Sequence, residues 1–169
     1  MKKSEHNLRK GKHLGGHALP TIYRQLKPAE FAQAMKVRLQ VFVEEQKVPF
    51  EEEYDCYDEV AQHFGVFYDG KLVGTGRLVF QEQCGKIGRV AILPEYRGRG
   101  FGSELIRMII ATGREQGLEE FVLGAQLQAM DFYARLGFIA EGDVFLDGGI
   151  PHRTMRVLFN SDQCQQEAE

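Results

Sequence analysis

The chain has little cysteine and lacks any long apolar run. Its three cysteines, Cys56, Cys84 and Cys164, form neither a Cys-x-x-Cys pair nor a Cys/His spacing typical of a metal site. Such scattered thiols predict an unbridged chain without a metal in a reducing compartment, which we take to be the cytoplasm. No apolar run is long enough to span a membrane, and the basic N-terminus lacks the apolar core of a signal peptide.

Net positive charge is also missing. The formal net charge is -3, so the electrostatic footprint of general nucleic-acid binding is absent, and we expect neither a nucleic acid nor a membrane as a partner. The length of 169 residues and the apolar fraction of 43% fit one globular domain. We therefore predict a single domain over residues 20–160, with a flexible basic arm at 1–19 and a polar tail at 161–169.

The spacing of apolar residues predicts an α+β fold. Strands are predicted at 21–26, 63–68, 72–80, 87–93, 120–124, 138–145 and 153–159. Helices are predicted from Pro28 to about residue 43, from Phe101 onward and at 128–136, with the acidic run 51–53 in a loop. Hairpins outnumber strand–helix–strand crossovers, which predicts a mixed, mostly antiparallel sheet of about seven strands with helices on its faces.

The most informative motif is Arg-Gly-Arg-Gly-Phe-Gly at residues 97–102. It follows an apolar run that ends before Pro94 and precedes an amphipathic segment, in the order strand, loop, helix. This order leaves free backbone N–H groups at a helix N-terminus, where they and the helix dipole bind phosphate. The spacing differs from a Rossmann fingerprint and lacks the Lys-Ser/Thr of a P-loop. The motif thus predicts a phosphorylated cofactor, with a tight exposed turn as the alternative.

Residues 97–102 resemble the acetyl-CoA-binding motif of the GNAT superfamily of N-acetyltransferases. Residues 129–138, which read Ala-Met-Asp-Phe-Tyr-Ala-Arg-Leu-Gly-Phe, resemble the second CoA segment of that family, at a matching distance. Gly-Ile-Pro-His at 149–152 and Val-Phe-Val-Glu-Glu-Gln at 41–46 resemble a subgroup of short acetyltransferases. The Pro-His element is also similar to the glyphosate N-acetyltransferase type. The whole resemblance covers about residues 21–159.

The resemblance implies acetyl-CoA as co-substrate and a sheet that splays at the cofactor cleft. The backbone of residues 97–102 would hold the pyrophosphate, and residues 90–92 would pair with the pantetheine arm. The N–H of Ile92 would polarise the thioester carbonyl, and Tyr133 would lie near the sulfur. The implied cofactor-binding residues are Val90, Ala91, Ile92, Arg97, Gly98, Arg99, Gly100, Phe101, Gly102 and Tyr133. Many relatives pair through edge strands or helices, so a homodimer is left open.

Two residues are the predicted catalytic groups. By the resemblance, the Tyr133 phenol would donate a proton to the departing thiolate, although an aromatic on an apolar helix face is also typical of a core. His152 follows a proline in a predicted loop between two strands, where a histidine has no packing reason to lie. An imidazole titrates near neutral pH, so a general base that deprotonates the amine is one interpretation. An exposed or capping histidine is the other.

Acidic side chains offer rival bases or a rim that attracts amines. Of these, Glu45 and Glu53 are the predicted substrate-binding residues, against the alternative of a solvated charged face. Asp55 and Asp58 share the same two interpretations. His63 begins an apolar strand, which favours a structural role.

These observations predict transfer of an acetyl group from acetyl-CoA to a primary amine of a small molecule, by direct attack in a ternary complex. Two alternatives remain: acetylation of protein N-termini or lysines, and a non-catalytic module that senses CoA. The residue pattern does not identify the acceptor, because the fold does not determine the substrate.

Overall fold

The computed structural model describes residues 19–159, so the predicted polar tail and all but the last residue of the predicted arm lie outside it. The described residues form one seven-stranded sheet in the order β1-β2-β3-β4-β5-β7-β6. All neighbouring strands are antiparallel except β4 and β5, which are parallel. The α+β, mostly antiparallel prediction is thus confirmed.

The strands are β1 (Ile22–Gln25), β2 (Gln62–Tyr68), β3 (Lys71–Gln81), β4 (Cys84–Ile92), β5 (Glu120–Gln126), β6 (Ile139–Asp147) and β7 (Ile150–Leu158). The α-helices are α1 (Phe31–Arg38), α2 (Phe50–Glu53), α3 (Phe101–Glu115) and α4 (Met130–Ala134). A π-helical segment, Leu39–Glu45, continues α1. Short 3-10 turns lie at Pro28–Glu30, Cys56–Glu59, Pro94–Tyr96 and Leu127–Ala129.

Helices cover both faces of the sheet. On α3, Leu105, Ile106 and Ile109 recur at helical spacing and are fully buried. They lie over β3 at Gly76, where a Cβ would come within 3.0 Å of Ile109 Cδ1, so the glycine allows the helix to approach. Helix α1 covers the other face, because neighbouring residues of a strand point to opposite faces and Arg77 points toward α1.

Strands β4 and β5 diverge, and the divergence opens a gap in the sheet. They pair only from Cys84 opposite Glu120 to Lys86 opposite Val122. Beyond these pairs, β4 continues to Ile92 with β3 as its only partner in the described sheet. Such an open strand edge presents unpaired backbone N–H and C=O groups, which can accept an extended ligand as an additional strand.

Three local predictions were wrong. The acidic run 51–53 forms α2 rather than a loop, because acidic side chains stabilise the first turn of a helix. Strand β4 begins three residues earlier than predicted, at Cys84. Strand β7 begins at Ile150, so His152 lies in a strand and not in a loop, because cross-strand partners on β5 and β6 hold it there.

Candidate active site

A cavity of about 880 Å³ opens where β4 and β5 part. Its lining brings together Ile92 of β4, Gly100 of the glycine loop, Tyr133 of α4 and His152 of β7. These residues span 60 positions of the sequence, so only the fold places them in one site.

The glycine loop has the geometry of an anion site. Gly98 and Gly100 adopt φ values of 74° and 80°, a left-handed conformation that glycine adopts most readily. The first helical bond of α3 runs from the Glu104 N–H to the Gly100 carbonyl, so the N–H groups of residues 101–103 have no acceptor within the helix. A Cβ on Gly98 or Gly100 would meet no atom within 4 Å. The loop therefore combines free donors with open space, which fits a phosphate group.

The two loop arginines are engaged with the protein. The Nε of Arg97 donates to the Ile92 carbonyl at 2.9 Å, and its two terminal nitrogens donate to the Glu45 carboxylate at 2.6 and 2.7 Å. The Arg97 hydrogen bonds lower the pKa of Glu45. The guanidinium of Arg99 lies 5.4 Å from the ring centroids of Tyr68 and Tyr96. Arg97 thus connects the glycine loop to the predicted substrate residue Glu45.

The backbone of Ile92 faces the open edge. The N–H of Leu93 donates to the Val73 carbonyl at 2.9 Å, and hydrogen bonding alternates along an antiparallel pair. The N–H and C=O of Ile92 consequently point away from β3, toward the gap that β5 leaves. Val90, Ala91 and Ile92 all line the cavity, with Ala91 opposite Thr75 of β3. An N–H at this edge can donate to a carbonyl oxygen in the gap.

Tyr133 lies against the cavity in an aromatic environment. Its ring meets Phe132 and Phe138 edge-on, with centroids 4.9 and 5.9 Å apart. Burial raises the pKa of Tyr133 to about 12, so the phenol keeps its proton at neutral pH. Tyr133 lines the cavity, and within residues 19–159 its hydroxyl makes no hydrogen bond to the protein. The side chain can thus donate a proton but cannot serve as a base.

His152 has one ring nitrogen fixed and one free. Nδ1 lies 2.7 Å from the Ile150 carbonyl, and because a carbonyl only accepts, Nδ1 carries the proton. The ring stacks on Phe145 at 5.8 Å, which holds it in place. Its Nε2 has no protein partner in the described part of the chain, and His152 lines the cavity. A neutral His152 therefore offers the Nε2 lone pair to a proton donor.

Comparison with known proteins identifies the family. Residues 21–138 match the Acetyltransferase (GNAT) family. The chain belongs to the GNAT family. Members of this family use acetyl-CoA, and the loop and the parted strands described above are the features that the sequence resemblance implied.

Individual relatives agree in sequence and in fold. The chain is 40% identical over 124 residues to the uncharacterized N-acetyltransferase YjcF of Bacillus subtilis, covering 72% of this chain and 88% of the relative. It is 31% identical to an acyl-CoA N-acyltransferase from Pseudomonas aeruginosa, whose crystal structure superposes with a TM-score of 0.71 and covers 81% and 97% of the two chains. The PaiA N-acetyltransferase of Thermoplasma acidophilum, solved in complex with coenzyme A, shares the fold with a TM-score of 0.63 at 18% identity, covering 83% and 100%.

Near His152, the cavity is bounded by the residues that follow the π-helical segment Leu39–Glu45. The Gln126 side chain donates to that of Gln46 at 2.8 Å. A Cβ on Gly148, at the tip of the β6–β7 hairpin, would lie 3.0 Å from Val48. The cavity is therefore bounded by the open strand edge on one side and by residues 46–57 on the other.

A cluster of arginines and carboxylates, which we call the buried charge network, holds that second side. Arg38 bonds the Glu53 carboxylate at 2.5 Å and both oxygens of Asp58 at 2.6 and 3.0 Å. Arg77 bonds Asp58 at 2.9 Å and Asp55 at 2.6 and 2.7 Å. The sixth member, Arg89, also contacts Glu53 and Asp55. Three arginines thus balance three carboxylates.

Glu53, the second predicted substrate-binding residue, is a member of the buried charge network. Its side chain is only 2% exposed, and arginines contact both carboxylate oxygens. Burial outweighs these contacts and raises the pKa of Glu53. In contrast, burial alone would raise the pKa of Asp58, but the hydrogen bonds and charges of Arg38 and Arg77 lower it to about 2. Glu53 therefore lines the cavity with both of its carboxylate oxygens already in contact with arginines.

Sequence reasoning missed this network, although a signal was present. Arg77 interrupts the predicted apolar strand 72–80, and Arg38 follows apolar positions of the predicted first helix. A charge within an apolar strand requires a buried partner. The partners could not be identified from the sequence, because they lie 15 to 22 residues from Arg38 and Arg77 along the chain. His63, predicted to be structural, lies beside the network, with Nε2 2.9 Å from the Asp58 carbonyl.

Replacement of Asp58 tests the energetics of the network. We expect Asp58→Asn to lower the free energy of unfolding by about 3 kcal/mol at pH 7, because two buried arginines lose their shared carboxylate. The folded pKa of Asp58 lies below its unfolded value, so its stabilisation is present above about pH 4 and is lost as the pH falls through about 2. Urea unfolding between pH 2 and 7 should show the two proteins converging in acid. A constant difference across that range, or an equal effect of the exposed-site control Asp143→Asn, would contradict this assignment.

Proposed function

We propose that this GNAT protein transfers an acetyl group from acetyl-CoA to the primary amine of a small molecule by direct attack in a ternary complex. The observation that carries the proposal is the parting of β4 and β5, which places the open edge at Ile92 in one cavity with Tyr133 and His152. Holding two reactants in one cavity can supply about 7–11 kcal/mol of the barrier reduction. We also propose that the Gly-Ile-Pro-His element at 149–152 marks a short, single-domain subgroup of the family.

The residues present fit acetyl-CoA. The free N–H groups at residues 101–103 and the open loop at Gly98 and Gly100 would hold the pyrophosphate. The edge of β4 at Val90 and Ile92 would pair with the pantetheine arm, and Arg97 would release the Ile92 carbonyl for it. When bound, acetyl-CoA supplies the thioester that the amine attacks. The N–H of Ile92 would then donate to the thioester oxygen, a contact of a kind that contributes about 3–4 kcal/mol.

Tyr133 is assigned the acid role. Its pKa of about 12 keeps the phenol protonated, and its hydroxyl is not bonded elsewhere within residues 19–159. A thiol has an ordinary pKa of about 8.5, so the proton transfer requires a positioned donor and an increasing negative charge on sulfur. The aromatic contacts with Phe132 and Phe138 provide that position.

His152 is assigned the base role. An amine must be neutral to attack, and at pH 7 an amine of pKa about 10.4 pays roughly 4–5 kcal/mol for deprotonation, whereas one of pKa about 8 pays about 1 kcal/mol. Nε2 of His152 can accept this proton directly or through water, because Nδ1 is already bonded to Ile150. The base is therefore most important for strongly basic amines.

The charges of the cavity support an amine acceptor. Glu52 and Asp147 both line it, and within residues 19–159 neither carboxylate is in an ion pair. An unpaired carboxylate raises the local concentration of a cationic amine. Glu45 remains a proposed substrate contact at the rim, reached if Arg97 changes partner.

Replacement of His152 tests the proposal. We expect His152→Gln to lower kcat about a hundredfold with an amine of pKa near 10 and less than about tenfold with one of pKa near 8. Affinity for acetyl-CoA should not change. The measurement is amine-dependent release of CoA with a matched pair of amines. His63→Gln serves as the control, because His63 lies outside the cavity lining. An equal loss with both amines would remove the base role.

The same turnover measurement distinguishes the proposed function from its two alternatives. Binding of acetyl-CoA with no amine turned over would favour a sensor module, and acetylation of peptides alone would favour a protein acceptor.

Cys56 and Cys84 are free thiols, which supports a cytoplasmic location. Among residues 19–159 no helix is long and apolar enough to span a membrane. Among the same residues, no group of three or more His, Cys, Asp or Glu side chains is arranged to hold a metal ion.

A further inference from the structure

Arg89 is the most unusual member of the buried charge network. It lies in a β-bulge of β4, where the register shifts between the pairs Thr75–Ala91 and Arg77–Gly88. Its φ of 52° is left-handed, a conformation for which glycine is the usual residue in such a bulge. The chain keeps an arginine there despite the backbone cost, which suggests a function for the side chain.

The guanidinium of Arg89 connects two walls of the cavity. It donates to the carbonyl oxygens of Glu53 and Glu52 at 3.1 Å each and to the Asp55 carboxylate at 3.2 Å. These three oxygen atoms belong to residues 52–57, a segment in which Glu52, Asp55 and Tyr57 line the cavity. We call this segment the acceptor wall, because the proposed amine acceptor would bind against it. The other wall is the end of β4, where Ile92 follows Arg89 by three residues.

We propose that Arg89 is a positioning residue, which sets the distance between the acceptor wall and the strand edge at Ile92. This inference rests on the proposed function, because it assigns the acceptor to residues 52–57 and the thioester to Ile92. A bidentate guanidinium on two carbonyls fixes a main-chain segment more tightly than a single ion pair does. Misplacement of reacting groups by about 1 Å can cost up to about a hundredfold in rate.

The remaining network allows Arg89 variants to fold. Arg38 still bonds the Glu53 carboxylate and its carbonyl, and Arg77 still bonds Asp55 with two nitrogens. Arg89→Gly removes the guanidinium and provides the residue that the bulge favours. Arg89→Ala removes it and retains the backbone cost. A merely structural role would make the glycine variant the better enzyme, whereas a positioning role would make the two equal.

The experiment compares Arg89→Gly, Arg89→Ala and Arg89→Lys with the wild type and with Arg24→Ala, an arginine that pairs with Glu30 away from the cavity. We measure amide hydrogen exchange, kcat and KM for the acceptor, calorimetric affinity for acetyl-CoA and the free energy of unfolding. In Arg89→Gly and Arg89→Ala alike, exchange at residues 50–58 should rise about tenfold, and kcat/KM for the acceptor should fall about tenfold or more, through both kcat and the acceptor KM. Affinity for acetyl-CoA should stay within about twofold. Arg89→Lys should recover part of the KM.

Several results would overturn the inference. Unchanged exchange at residues 50–58 would show that Arg89 does not hold the acceptor wall. An acceptor KM that recovers in Arg89→Gly together with stability would show a structural role only. If the wild type turns over no amine, the proposed function fails, and exchange alone then decides whether Arg89 positions this wall.

Discussion

Gly100→Val is expected to weaken binding of acetyl-CoA by at least about a hundredfold. Gly100 is the N-cap of α3, with φ 80° and open space where a Cβ would project. A β-branched residue does not tolerate this conformation, so the N–H groups at residues 101–103 would turn away from the pyrophosphate. Loss of two charge-assisted hydrogen bonds of about 1.5–3 kcal/mol each accounts for that factor. Titration calorimetry gives the affinity directly.

Gly117→Val is the matched control for this variant. Gly117 follows the other end of α3, also has a left-handed φ, of 92°, and a Cβ there would likewise meet nothing within 4 Å. Both variants should lose comparable stability from backbone strain, but only Gly100→Val should lose affinity. An equal loss of affinity in both, or none in either, would mean that the loop is an ordinary turn and not a phosphate site.

Tyr133→Phe is expected to lower kcat about a hundredfold while leaving affinity for acetyl-CoA unchanged, because it removes a proton donor and no packing. The hydroxyl lies at the cavity and makes no hydrogen bond to the protein within residues 19–159, so the free energy of unfolding should change by less than about 0.5 kcal/mol. The raised pKa of about 12 also predicts that wild-type activity shows no decline from phenol ionisation between pH 7 and 10.

Tyr23→Phe is the control for Tyr133→Phe. Tyr23 packs against Phe101 at 6.5 Å but does not line the cavity, so its hydroxyl is not available to the reaction. Its kcat should equal that of the wild type. If Tyr133→Phe retains full turnover, the proton reaches the sulfur from another donor, such as water, and Tyr133 is an aromatic of the cavity wall.

The fold could be predicted from the sequence, because its helices, strands and turns are determined by residues that are close together in the chain. The Asp-Gly turn at residues 69–70, the glycine loop before Phe101 and the apolar stripe of α3 each depend on neighbouring residues. Gly137, directly after the helix predicted at 128–136, has a left-handed φ of 94°, which is typical of a residue that ends a helix. The GNAT resemblance rested on two such local segments, and the described sheet agrees with it.

The cavity walls could not be predicted, because they depend on contacts between distant residues. The pairing of Arg97 with Glu45 spans 52 positions, and the contact of Arg89 with Glu53 spans 36. Glu53 and Asp58 read as exposed acidic residues in the sequence, yet both are buried by arginines of α1 and β3. Charge alone does not show whether a carboxylate faces solvent or a buried guanidinium. The tautomer of His152 was equally inaccessible, since it is set by the Ile150 carbonyl.

The most direct test of the account is turnover by the wild-type protein. Purified protein, acetyl-CoA and a panel of primary amines are mixed, the release of CoA is followed, and each product is weighed by mass spectrometry. We expect CoA release that requires an amine, an amine product heavier by one acetyl group, and a reduced rate in Gly100→Val and Tyr133→Phe. Tight binding of acetyl-CoA without amine-dependent release by the wild type would contradict acetyl transfer by this protein.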